Sequence, residues 1–136
     1  MTDRKQQLIN RLRDAGLRPT RQRQALGNLL FSDGDRHITA ERLHEEAMVD
    51  GVPVSLATVY NTLHQFTNAG LLREVTVEGA KTYFDTNTTQ HFHFYNEENG
   101  QLIDMPADMV LIDNLPDSPD GTKVTQIDLT VRIAKK

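Results

Sequence analysis

Five side chains of this 136-residue sequence have the chemistry to hold a metal ion: His37, Asp85, His91, His93 and Asp104. His91-Phe92-His93-Phe94-Tyr95 alternates with period two, so on a strand both imidazoles share one face. Gln101-Leu102-Ile103-Asp104-Met105 alternates more loosely, with Glu97-Glu98-Asn99-Gly100 as the turn between them. Pairing about that turn sets His93 opposite Asp104. Asp85 ends an earlier strand, next to Thr86-Asn87-Thr88-Thr89-Gln90, which has no periodicity and reads as a hinge. His37 stands just before a helix. Three imidazoles and two carboxylates are a nitrogen and oxygen set suited to Fe²⁺, Mn²⁺ or Zn²⁺ rather than to a thiophilic metal. A ligand joining both sides of the hinge would set the angle between the flanking halves, as a regulatory switch does. Each piece alone has a plainer reading. A lone His-x-His is more often a surface or interface pair, Asp85 could cap a turn, and His37 could cap a helix. Their placement about one hinge favours a site, although spacing does not make the five converge. His44 and His64 read as solvated.

The stretch Val54–Gly70 organises the elements around these residues. Ser55 is a good N-cap and Gly70 a good stop. Leu56, Val59, Leu63 and Phe66 recur at helical spacing. The opposite face holds Ala57, Asn61, His64, Gln65 and Asn68, with no formal charge. Such a face suits the DNA major groove, where Asn and Gln pair with adenine and Ala touches a thymine methyl. An amide-rich solvated helix is about as common, so the flanks decide.

The net charge is −4, but it is unevenly spread. Residues 1–25 carry seven basic and two acidic side chains, a net of +5, whereas residues 85–136 carry four against nine, a net of −5. This predicts a basic DNA-facing front and an acidic rear. The length allows one or two small domains. No apolar run spans a membrane and no signal-peptide pattern is present, which predicts a cytoplasmic protein without a membrane partner. The absence of cysteine excludes disulfides, thiolate zinc sites and thiol chemistry.

Before the central stretch, residues 4–15 predict a helix with Leu8, Ile9, Leu12 and Ala15 inward. A second helix has Pro19 in its first turn and runs to about Phe31. Thr39 caps a third, Ala40 to about Val49, with Ala40, Leu43 and Ala47 inward. After it, Leu71–Val77 and Lys81–Asp85 form a hairpin. Helices closed by a hairpin make a winged helix, whose last helix reads the major groove. Farther on, Pro106 to Leu115 predicts a short helix and Val124 to Ile133 a last strand. The expected fold is α+β: a winged-helix DNA-binding domain (1–85), a hinge (86–90) and a small α/β dimerisation domain (91–136). The last unit buries little alone, which predicts a homodimer on a palindromic double-stranded DNA operator.

Four motifs together resemble the ferric uptake regulator family: Gly16-Leu17-Arg18-Pro19-Thr20-Arg21-Gln22-Arg23, His37-Ile38-Thr39-Ala40-Glu41, Val54 through Leu63, and His91-Phe92-His93. The resemblance covers essentially the whole chain. It implies a dimeric, metal-responsive transcription regulator with ligands at His37, Asp85, His91, His93 and Asp104. It implies major-groove contacts from Ala57, Tyr60 and Asn61 and a minor-groove contact from Arg18. The sequence departs from many members in lacking the two CxxC pairs of a structural zinc site; Asn96 and Asn99 stand where the first pair falls. Within the family this pattern looks most like the iron response regulators of α-proteobacteria, which release DNA on binding haem. Haem here would need histidine ligation, at His91 and His93. The expectation is therefore a repressor-type regulator responding to iron status through haem. The alternative is a divalent-metal (Fe, Mn or Zn) or peroxide-responsive repressor that the metal activates. A metal-dependent hydrolase using His91, His93 and Asp104 lacks a general base beside a substrate cavity.

Overall fold

The computed structural model describes residues 3–136; Met1 and Thr2, at the start of the expected first domain, lie outside it, as does the side chain of Ala107. The chain divides into two compact units, Met1–Thr88 and Thr89–Lys136.

The first unit comprises α1 (Arg4–Asp14), α2 (Arg21–Phe31), β1 (His37–Ile38), α3 (Ala40–Val49), α4 (Leu56–Asn68), β2 (Arg73–Thr76) and β3 (Thr82–Asp85). Each helix starts where a short polar side chain offers an oxygen to a first-turn amide. Asp3, Thr20, Thr39 and Ser55 accept from the N–H groups of Gln6, Arg23, Arg42 and Thr58. Thr20 takes the cap of α2, so Pro19 precedes the helix and is not in its first turn. Gly70 follows α4 with φ +82°, a left-handed turn that costs glycine little. Gly70→Ala is expected to lower the unit's unfolding free energy by about 1 kcal/mol, because Cβ is strained at that φ. Chemical denaturation reads the loss, and an unchanged midpoint would contradict it.

One core joins these elements. Leu12, Leu26, Leu30, Ile38, Leu43, Val59, Leu63, Phe66, Leu72 and Phe84 are buried together. Gly27 lets α1 approach α2, since a Cβ there would stand 3.0 Å from Leu8 Cδ1. Leu56, expected in the apolar stripe, is exposed at the first turn of α4, and Thr62 is buried on that helix instead. The three strands form an antiparallel sheet in the order β1-β3-β2, completing a winged-helix arrangement.

Arg36 clamps this unit from the loop before β1. Its guanidinium donates to both Glu46 oxygens at 2.9 and 2.6 Å and to the Leu29 carbonyl at 3.1 Å. The Arg36 hydrogen bond holds the Glu46 carboxyl below its ordinary value of 4.5, against the opposing effect of burial. A carboxylate with a depressed folded pKa stabilises the fold above its unfolded pKa and loses that contribution as pH falls through the folded value. Glu46→Gln is therefore expected to cost about 0.5–1 kcal/mol at neutral pH, a partly solvated pair being screened. Unfolding curves of the two proteins should converge as pH falls below the ordinary carboxylate range; a gap independent of pH would contradict this.

The second unit holds β4 (Phe92–Asn96), β5 (Leu102–Met105), a 3₁₀ turn at Ala107–Met109 and β6 (Thr130–Ile133). The order is β5-β4-β6, with β4 antiparallel to β5 and parallel to β6. Two expectations are corrected here. The helix from Pro106 to Leu115 is only the 3₁₀ turn: Met109, Leu111 and Leu115 are exposed, so no packed face supports so short a helix. The strand from Val124 shrinks to Thr130–Ile133, because the upstream residues have no ladder partner in this sheet.

Candidate metal centre and nucleic-acid face

In the first unit, pairing of β1 with β3 sets His37 opposite Asp85. His37 Nε2 lies 3.2 Å from Asp85 Oδ2. Asp85 is only 1% exposed, and its Oδ1 accepts the Asn87 N–H at 2.9 Å. The strand's exit is tied beside His37: the Arg36 N–H donates to Thr86 Oγ1 at 2.8 Å, and the Thr86 N–H to the Arg36 carbonyl at 3.1 Å.

In the second unit, the β4–β5 register pairs His93 with Asp104. His91 Nε2 and His93 Nε2 lie 3.4 and 3.6 Å from Asp104 Oδ1, and the two rings stand 4.6 Å apart. Both imidazoles are buried. His91 Nδ1 is 2.7 Å from the Thr89 carbonyl oxygen. A carbonyl only accepts, so Nδ1 carries a proton and Nε2 is the ring nitrogen turned toward the carboxylate. A backbone carbonyl holding the second ring nitrogen is also the usual support of a metal-ligating histidine. One ligand atom each from His91, His93 and Asp104 lies within 4.8 Å of the others. The donor set and its geometry fit a divalent ion. The structure thus brings His37 to Asp85 in one unit, and His91, His93 and Asp104 together in the other.

The exposed face of α4 carries Ala57, Asn61, His64, Gln65 and Asn68. Its polar groups have more internal partners than expected. Gln65 Oε1 accepts from Arg23 at 3.0 and 3.3 Å, which lays a guanidinium along an otherwise uncharged face. The same Arg23 donates to the carbonyl of the exposed Arg18 at 3.0 Å. Tyr60 is half-buried, and its hydroxyl donates to Glu41 Oε1 at 2.7 Å. That bond is the main reason the Glu41 carboxyl lies below its ordinary range and the Tyr60 phenol above its own. The two remaining histidines are not simply solvated. His44 Nε2 is bonded to the Val54 carbonyl at 3.0 Å, and His64 packs edge-on to Phe84 at 5.6 Å. Sequence reasoning missed Arg23 and Glu41 as parts of this face. Their partners are 42 and 19 residues away, so no local pattern marks them.

The model of the ferric uptake regulator family matches residues 14–132. The chain belongs to this family. It is a family of regulators, which sets aside the hydrolase reading. Among curated relatives, the peroxide-responsive repressor PerR of Staphylococcus aureus is 38% identical over 96 residues; that match covers 71% of this chain and 64% of the relative. Among solved structures, the ferric uptake regulator of Pseudomonas aeruginosa with manganese is 28% identical with TM-score 0.72, covering 95% of this chain and 98% of that one. The ferric uptake regulator of Vibrio cholerae is 26% identical with TM-score 0.72, covering 93% and 98%. The likeness of fold therefore extends through both units, whereas the match to the curated repressor spans less than two thirds of that protein. No described helix is long and apolar enough to cross a membrane.

Proposed function

We propose that this chain is a homodimeric transcription regulator whose grip on operator DNA is turned on by one divalent ion, Fe²⁺, Mn²⁺ or Zn²⁺, held by His37, Asp85, His91, His93 and Asp104. The observation carrying this reading is a pair of incomplete nitrogen and oxygen ligand sets in a family of metal-responsive regulators. One is His37 with Asp85, and the other is His91, His93 and Asp104. With two and three side chains, neither set alone supplies the roughly four to six ligands that these ions take. Only residues 86–90 separate Asp85 from His91. Fully extended, that span is about 20 Å, so each set meets the other at an effective concentration on the order of millimolar.

A bound cation would supply the positive charge that holds imidazoles and carboxylates together. The protein's own residues do the rest. Thr89 fixes the His91 ring, Asn87 fixes Asp85, and the Arg36–Thr86 bonds anchor the linker where it leaves β3. Closing the two sets on one another restricts the linker, and with it the orientations available to α4. DNA affinity rises only as far as the ion prefers the DNA-competent arrangement. Ala57, Tyr60 and Asn61 of α4 are the proposed major-groove contacts and Arg18 the minor-groove contact. The exposed apolar side chains of the second unit, Ile103, Met109, Leu111 and Val131, support a second copy covering that sheet.

Haem at His91 and His93, as in the iron response regulators, is the weaker reading. Both imidazoles are buried and converge on Asp104, an arrangement suited to a small cation rather than a large planar group. Fluorescence anisotropy with a family-type operator at fixed salt separates the readings. Mn²⁺ or Fe²⁺ is expected to tighten binding at least tenfold, and haem to leave it unchanged. If peroxide is also sensed, as the name of the Staphylococcus aureus relative suggests, hydrogen peroxide should release the Fe²⁺ form and spare the Mn²⁺ form. DNA binding indifferent to metal, or released by stoichiometric haem, would overturn the proposal.

A further inference from the structure

Tyr60 is held from two sides within the first unit. Its hydroxyl proton is given to Glu41, at the start of α3. Its ring stacks on His64, at 6.4 Å between centroids and 19° between planes, and His64 in turn rests against Phe84 in β3. The Tyr60 hydrogen bond, with a smaller contribution from Lys81 just before β3, holds the Glu41 carboxyl below its ordinary range, so the acceptor stays ionised. A tyrosine hydroxyl has one proton and two lone pairs, whereas an ionised carboxylate only accepts. While Glu41 takes the proton, Tyr60 has nothing left to donate. What it can turn toward a ligand is its oxygen lone pairs and its ring edge.

We infer that Glu41 fixes the hydrogen-bonding polarity of Tyr60, so that this phenol reads a hydrogen-bond donor on a base edge. The inference rests on α4 being the DNA-reading helix. In the major groove the donors are the adenine N6 and cytosine N4 amino groups; guanine O6 and N7 and thymine O4 are acceptors and offer the phenol oxygen nothing. Glu41 is then a positioning residue. It touches no base, yet it decides which bases Tyr60 accepts. An unconstrained tyrosine hydroxyl would rotate to suit either kind of partner, so the carboxylate converts a tolerant contact into a selective one.

The test uses the full-length, Mn²⁺-loaded protein and a library of operators varied one position at a time. Wild type is expected to favour adenine or cytosine about five- to tenfold at one position of each half-site, the size of one net hydrogen bond. Substituting purine for adenine, or 2-pyrimidinone for cytosine, removes the amino group and is expected to abolish that preference. Tyr60→Phe should bind normal and amino-less operators equally. Glu41→Ala frees the hydroxyl and should flatten or invert the preference at that position only, leaving the others unchanged. A preference unaltered in Glu41→Ala, or a uniform loss across all operators, would overturn the inference by showing that Glu41 only supports the fold. Should Glu41→Ala fail to fold, Tyr60→Phe still decides: loss of a guanine or thymine preference contradicts the assignment. If wild type shows no sequence preference anywhere, the DNA-reading role of α4 fails and this inference goes with it.

Discussion

Replacing His93 by alanine is expected to weaken Mn²⁺ binding by about 100-fold or more, and to reduce the metal-dependent gain in operator affinity in step. Loss of an outer-shell partner typically costs about 10–100-fold in metal affinity, and His93 is proposed as a direct ligand. A 100-fold loss corresponds to about 2.7 kcal/mol. The substitution removes a buried imidazole next to Asp104 while leaving the β4–β5 ladder, a backbone feature, in place. The apo protein should therefore keep its fold and its weak, salt-dependent affinity for nonspecific DNA. Isothermal titration with Mn²⁺ and operator binding on the same preparation check both halves. An unchanged metal isotherm would contradict the ligand assignment. A weakened isotherm with an unchanged metal response on DNA would show that this site is not the switch.

Phe66→Ala is expected to destabilise the first unit by about 3–5 kcal/mol, the usual cost of emptying a fully buried aromatic position. Phe66 is 0% exposed, packs against Phe31 at 6.2 Å between centroids, and shares its cluster with Phe84, the residue before Asp85. Small domains hold only about 5–15 kcal/mol in total, so a large share of the margin disappears. Denaturant melts should show the loss, and the His37–Asp85 pair should become labile with the sheet that holds it. A change under about 1 kcal/mol would mean that the helices repack without this ring.

The parts of the fold written locally were legible in the sequence. Ser55 and Gly70 bound α4 because a cap oxygen and a left-handed glycine are single-residue signals. The His93–Asp104 pairing followed from the turn between β4 and β5, since a hairpin turn fixes register. The strand β1 was not legible. It has two residues and no pattern of its own, and it exists only because β3 offers an edge. That short pairing places His37 opposite Asp85, so half of the candidate metal centre depends on an element no periodicity announces. The end of the chain misled for a related reason. Residues 124–133 alternate as a strand should, but alternation without a neighbouring ladder forms structure only where β4 reaches, at Thr130–Ile133. On α4, residue types indicated which side is polar. The Arg23–Gln65 and Tyr60–Glu41 bonds that give that face its charge and its hydrogen-bonding polarity join distant positions, visible only once the chain is folded.

The account stands on one ion joining two ligand sets. Anomalous diffraction at the manganese edge, from crystals grown with Mn²⁺, tests it most directly. One strong peak is expected in each protomer, with His37, Asp85, His91, His93 and Asp104 all at about 2.0–2.3 Å. A peak ligated from one side of residues 86–90 only, or none near these side chains, would contradict it.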